Sequence, residues 1–256
     1  TYYNHVTSIG YIMTSLWAYE ALTVSQYKYN RYEKHFFDND KKKSIFTYRI
    51  SYLIPKLKEL LNQIKDQPDA DHKNNYALLK DGFSKLYTNR AEKETFYKSI
   101  QKNNLNTADI NAGLKFLREE TKLYNGALRK LRKENDRIFR DLTQKYGSKK
   151  AIYKLKADYH NKQLEELLQN KDEMSAYKID NTQIIQLTDP IFKDPTARNG
   201  RAHFYAPNKQ LGNWKIDTPV FNVLFIWFTV LLLYIALMYN ALGRLIALFN
   251  NETPEE

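Results

Sequence analysis

The chain has 256 residues, a formal charge of +11 and a mean hydropathy of −0.66, the profile of a polar protein with one exceptional apolar stretch near its end. It contains no cysteine, which excludes disulfides, zinc–thiolate sites and cysteine nucleophiles. Eight Gly and seven Pro are few, and twenty Tyr with thirteen Phe are ample core material, so the composition favours long helices over a turn-rich β fold.

Residues 1–29 are apolar and aromatic, with Glu20 and Lys28 their only charges. Ile9, Ile12, Met13, Leu16, Trp17, Leu22 and Val24 suit short helices lying on a bilayer or re-entering it, and Gly10 with several Ser/Thr interrupts any clean span. The chain opens on Thr-Tyr-Tyr-Asn, as expected of a processed protein or a piece of a longer one.

Composition shifts at Tyr29, and the charged run Arg31 to Lys43 reads as a connector. A water-soluble helical domain over 30–180 follows. Pro55 is expected to open a helix carrying Leu57, Leu60, Leu61 and Ile64 on one face, which Pro68 ends. Asp69 or Asp71 can cap the next, with Tyr76, Leu79, Phe83 and Leu86 inward, and a further helix is expected over Ala91–Gln101 around Phe96, Tyr97 and Ile100.

The strongest soluble pattern runs from Thr107 to Tyr146, where Leu114, Leu117, Tyr124, Leu128, Leu131, Ile138 and Leu142 alternate by threes and fours. Gly147 supplies a C-terminal cap and Ser148 a new N-cap for a second helix reaching about Met174. The short joint implies a long antiparallel helical hairpin. Polar seam positions at Thr121, Asn135 and Lys145 favour packing within the domain over a dimeric coiled coil.

Between Leu114 and Asp158 there are fourteen Lys/Arg against six Asp/Glu. Most such runs are solvated helix faces. For any contact made by Arg129, Lys130, Arg132 and Lys133, anionic lipid ranks above nucleic acid, since no nucleic-acid-binding signature accompanies the charge.

From 181 to 217 helix signals fade among Pro190, Pro195, Gly200, Pro207 and Gly212. An irregular connector is expected, with one short strand at Ile184, Ile185 and Leu187. Then Val220 to Tyr239 runs without a charge, and an amphipathic continuation reaches Leu248. About 20 apolar residues at 1.5 Å rise cross the ~30 Å hydrocarbon core, so 218–248 is read as a transmembrane helix. Pro219 suits its first turn, after Asp217 or Thr218 as N-cap, and Trp214, Trp227, Tyr234 and Tyr239 suit membrane interfaces. Asn222, Thr229, Asn240 and Arg244 are its polar positions. Lys209 and Lys215 before it, against Arg244 after it and the acidic tail 249–256, leave orientation open by the positive-inside rule.

No catalytic motif is present: no phosphate loop, no nucleophile elbow, no His-Glu-x-x-His. His5, His35, His72, His160 and His203 are scattered and suit packing or surface roles, and Asp69, Asp71 and His72 are explained by capping. The chain by itself is not expected to be an enzyme or to hold a metal.

Two segments resemble a family. Thr14-Ser15-Leu16-Trp17-Ala18-Tyr19-Glu20-Ala21-Leu22 is similar to the Ser-Arg-aromatic-Gly/Ala-aromatic-Glu-Ala-Leu element of ABC-2-type permeases of the G-subfamily kind, with Leu16 in place of Arg. Asp194 to Pro207, which includes Arg198, Arg201 and His203, followed by Lys215-Ile216-Asp217-Thr218 and the apolar run, resembles the close of bacterial fused ATPase–permeases. The resemblance covers a fifth to a quarter of the chain. It implies the C-terminal part of an inner-membrane half-transporter working as a dimer. Re-entrant elements would place Ser15, Trp17, Tyr19 and Glu20 at an outer gate, and a periplasmic domain would contact substrate or a protein partner. ATP and Mg would bind an upstream ATPase domain. The competing reading is a tail-anchored helical-hairpin tether.

Overall fold

The computed structural model describes residues 13–68, 70–86, 94–240 and 243. Ile9, Gly10, Ile12, Asp69, Ala91, Arg244, the amphipathic continuation beyond residue 243 and the acidic tail lie outside them. Among the described residues the protein is mainly helical, with two small two-stranded sheets and one long apolar helix near the C-terminus. It divides into two units: residues 30–193, and residues 1–29 together with 194–256.

In the first unit, the run read as a charged connector is helical instead. A 3-10 turn at Glu33–His35 leads into α2 (Phe37–Tyr48), which follows α1 (Thr14–Lys28) of the other unit in chain order. Phe36 and Phe37 are buried while Lys42 and Lys43 stay on the outer side, which is how a strongly charged segment still forms a packed helix. Pro55 stands in the first turn of its helix, as expected, but no break in the helical path precedes it. The chain continues from α2 through a π-helical turn, Arg49–Leu53, into α3 (Ile54–Asp66). Pro55 has no N–H, and its ring crowds the carbonyl four residues back. The wider turn, in which the Ile54 N–H donates to the Arg49 carbonyl, absorbs that misfit without ending the helix.

Helices α4 (Lys73–Leu86), α5 (Glu94–Gln101) and α6 (Thr107–Tyr146) complete the main core with α3. Leu57, Leu61, Leu79, Phe83, Leu86, Ile100 and Leu117 are fully buried there. The first N–H groups of α4 are met by Asp71, whose carboxylate accepts from the Lys73 N–H at 3.0 Å. His72 is held by the Gln67 carbonyl at 2.6 Å and by Asn75, a structural role. At the start of α6, Asn106 and Asp109 form a reciprocal capping box.

Gly147 ends α6 in the left-handed conformation (φ 83°), and Ser148 caps α7 (Lys149–Tyr159) by accepting from the Ala151 N–H. Leu142 and Ile152 pack across the joint with Phe36, so α6 and α7 are antiparallel. The second arm is shorter than expected. It stops at His160, whose backbone is extended, and α8 (Lys162–Gln169) restarts on the Asn161 cap. His160 Nδ1 lies 2.7 Å from buried Glu33 and its Nε2 3.3 Å from Glu165, contacts that an uninterrupted helix would not have to accommodate.

The unit runs on to Lys193. Strands β1 (Tyr177–Asp180) and β2 (Gln183–Gln186) form an antiparallel hairpin, with Lys178 opposite Ile185 and Ile179 opposite Ile184, and Leu187 lies just past it. Ile184 is buried against α4, where Asp81 accepts from its N–H and Lys85 donates to its carbonyl. A 3-10 turn at Pro190–Phe192 closes the unit with Ile191 and Phe192 buried.

In the second unit, α1 (Thr14–Lys28) packs against α9 (Thr218–Met238). The stretch expected to be irregular carries a hairpin, β3 (Asn208–Leu211) and β4 (Trp214–Asp217), with Lys209 opposite Ile216. Gly212 takes φ 56° at the first position of its two-residue turn, which a side chain would strain. Asn199 and Gly200 run along the free edge of β3, where the Gly200 N–H donates to the Gln210 carbonyl and the Gly212 N–H to the Arg198 carbonyl. Strand β4 leads directly into α9, whose apolar side chains are almost entirely uncovered.

Candidate functional site: a buried Glu–Lys–Asn cluster between α1 and α9

Helix α1 buries one face, Trp17, Glu20, Ala21, Val24 and Tyr27, spaced three and four apart. A carboxylate in such a face needs partners, because an unpaired buried charge is strongly disfavoured. Glu20 is 3% exposed and has two. Lys209 Nζ donates to its Oε2 at 2.6 Å, and Asn222 Nδ2 donates to the same oxygen at 2.8 Å. Asn222 Nδ2 also donates to the Trp17 carbonyl at 3.0 Å. Lys209 Nζ sits 4.3 Å from the Trp17 ring centroid and 5.7 Å from that of Phe221, so aromatic faces replace part of its lost hydration.

Each element places its residue for a local reason. Pairing of Lys209 with Ile216 across the hairpin turns the lysine to the helical side of the ladder. Asn222 lies one turn inside α9, behind Pro219 in the first turn. Trp17 packs on Phe225 at 4.3 Å and Phe221 at 6.2 Å between centroids. Lys28 and Tyr29 both hydrogen-bond the Asp217 carboxylate. Trp17 facing Phe225, Glu20 facing Asn222 and Lys28 facing Asp217 make the two helices antiparallel. The expected capping by Asp217 is therefore not made: its carboxylate serves α1, and Thr218 Oγ1 donates instead to the Ala206 carbonyl.

Burial pushes the Lys209 ammonium below its ordinary pKa, and the Glu20 carboxylate opposes that drop. Asn222 Oδ1 is buried and accepts no hydrogen bond from the described residues, an acceptor with capacity to spare inside the cluster.

Of the residues singled out from sequence, Trp17, Glu20 and Asn222 come together here. Ser15 is exposed in the first turn of α1. Tyr19 points away from the cluster, half exposed, and stacks beside Phe204 at 6.3 Å. Arg198 and Arg201 are exposed and His203 is half-buried, on the strip that borders β3. Thr229 donates back to the Ile226 carbonyl within its own helix, and Asn240 takes φ 46° just past α9. Arg129, Lys130, Arg132 and Lys133 are exposed on α6, in the other unit. In the sequence Lys209 is only a cation preceding the apolar run, one more lysine in a loop-like segment. The available signal was the lone acid of residues 1–29, which demanded a cation from elsewhere.

Among the described residues, no group of three His, Cys, Asp or Glu is placed to hold a metal ion. The cluster is built for positioning: it fixes a short helix and a hairpin to the first turns of a membrane-type helix. Compared with protein-family models, curated proteins and solved structures, the chain finds no match.

Proposed function

We propose that this chain is the permease portion of an ATP-driven ABC-2-type exporter of the bacterial inner membrane. In this reading α9 is the last membrane helix and α1 an element that re-enters the bilayer beside it. Residues 30–193 form a periplasmic helical domain that contacts substrate or a protein partner. ATP and Mg act in an ATPase domain upstream, and two such half-transporters work as a dimer.

The observation that carries the proposal is the antiparallel docking of α1 on the first half of α9 through the Glu20–Lys209–Asn222 cluster. At 15 residues, α1 is about 22 Å long and too short to cross a ~30 Å core. A helix of that length beside a spanning one is tolerated where its polar groups are satisfied by protein, as Glu20 is here. The uncovered face of α9, with Val220, Leu224, Trp227, Phe228 and Leu231 exposed, suits lipid and further membrane helices.

The deciding measurement is the intact mass and N-terminal sequence of the native protein extracted from membranes. A heavier polypeptide with a phosphate-loop ATPase upstream is expected. A mature chain of 30.4 kDa would reject the exporter and leave a tail-anchored tether, a reading favoured by α9 being the one candidate span among the described residues. Sidedness is testable because the chain lacks cysteine. A Met174→Cys variant, at a fully exposed position, should react with an impermeant maleimide on intact spheroplasts. Reaction only after lysis would place the domain in the cytosol.

A further inference from the structure

The outward face of α6 carries an ordered charge array that the exporter reading does not use. Lys115, Lys122, Arg129, Lys133 and Arg140 are all exposed. Their spacings of seven, seven, four and seven residues return to within about 40° of one direction around the helix. They therefore form a straight ridge about 38 Å long. Among the described residues none of the five carries an ion pair, whereas Arg137, beside the ridge, pairs with Glu134 at 3.0 Å. Arg118 and Arg137 flank the ridge on the same face, and Glu119 and Asp136 are the carboxylates there. The ridge is convex and its five positions are all long cationic side chains, without interleaved aromatic groups on which bases could stack.

The geometry points to this ridge as a docking surface for the anionic phospholipid headgroups of the bilayer that holds α9. A straight convex row of unpaired cations is complementary to a flat negative surface. Anchoring raises the local concentration of that surface, so modest attraction per cation suffices. The inference rests on α9 lying in a bilayer and is independent of the exporter assignment.

The test uses the full chain carrying Gly126→Cys, a position on the ridge where an added Cβ meets only the end of the Arg129 side chain at 3.9 Å. A donor fluorophore there reports proximity to headgroup-labelled lipid. The protein is reconstituted into vesicles of phosphatidylcholine alone, or of phosphatidylcholine and phosphatidylglycerol in equal parts. Flotation with either vesicle reports α9 insertion separately. Energy transfer should at least double in the anionic vesicles relative to the neutral ones, and that excess should vanish in 1 M salt, where the screening length falls to about 3 Å. The docking constant read from that excess should fall about fivefold per cation neutralised in the series Lys115→Gln, Lys122→Gln, Arg129→Gln, Lys133→Gln and Arg140→Gln. Equal transfer in both vesicles, or transfer unmoved by salt, would overturn the proposal even if the variants proved unstable. Binding of the ridge to an acidic polysaccharide or nucleic acid with no response to lipid charge would overturn it as well.

Discussion

Glu20 of α1 and Lys209 of β3 stand 189 residues apart in sequence and form an ion pair of 2.6 Å in which each side chain is only 4% exposed. With Asn222 donating to the same carboxylate oxygen, the pair joins a helix, a hairpin and the first turns of α9 at one point. Its energetic meaning is asymmetric: the intact pair adds little over an apolar substitute, whereas a broken pair leaves a buried charge.

That asymmetry is measurable. Lys209→Met and Glu20→Gln should each destabilise the unit, by about 3–5 kcal/mol for a fully broken pair, and the double variant should cost less than the sum of the singles. The readout is chemical unfolding in detergent followed by tryptophan fluorescence. Strict additivity would show that the two side chains are not coupled.

Close packing in the helical unit makes a second prediction. A Cβ added at Gly113 would come within 2.4 Å of the buried Phe96 ring, while at Gly126 nothing lies closer than 3.9 Å. Gly113→Ala should therefore cost about 1–3 kcal/mol by overpacking. Gly126→Ala should stabilise by about 0.5–1 kcal/mol through backbone entropy. Urea midpoints of the two variants should move in opposite directions, and a shared direction would contradict the packing between α5 and α6.

Lys193 predicts a pH dependence. Burial lowers its pKa from 10.5 to about 8, helped by the nearby Lys85 charge, while its ammonium donates to the Gln186 carbonyl at 2.8 Å. The unfolded chain binds more protons between those values, so this contribution is present above pH 10.5 and lost as pH falls through about 8. The stability difference between wild type and Lys193→Met should thus change across that window, with the variant gaining relative stability toward pH 8. A difference that stays flat from pH 10.5 to 8 would remove Lys193 as the cause.

At the break between α7 and α8, burial raises the Glu33 pKa above its ordinary 4.5, and the hydrogen bond and charge of His160 oppose that rise. A raised carboxyl stabilises the fold fully below 4.5, and that stabilisation is lost as pH rises through the folded value. Removing His160 enlarges the shift. His160→Ala should consequently cost about 1–3 kcal/mol at pH 7 and less at pH 4, below the ordinary carboxyl value, where less Glu33 charge is left for His160 to offset. Urea midpoints at the two pH values check this, and an equal cost at both would mean that Glu33 does not feel His160.

Sequence alone determined the elements whose signals are local. The uncharged run after Pro219 can only be an apolar helix, and α6 is legible from its three-four periodicity, the left-handed cap at Gly147 and the hydroxyl cap at Ser148. Glu20 and Asn222 also stood out, because a polar residue in an apolar context is conspicuous before its partner is known. Tertiary structure decided the rest. Pro55 reads as a helix start, yet packing of Leu53, Ile54 and Leu57 in the core outweighs the local misfit and carries the helix through a π turn. Lys193 and Lys209 look like ordinary loop lysines, and only folding buries them. The choice of Lys209 as the partner of Glu20 depends on a hairpin register and on two helices meeting, and neither leaves a periodic trace in the chain. Burial of a charge is a property of what surrounds it, and those surroundings come from residues nearly two hundred positions away.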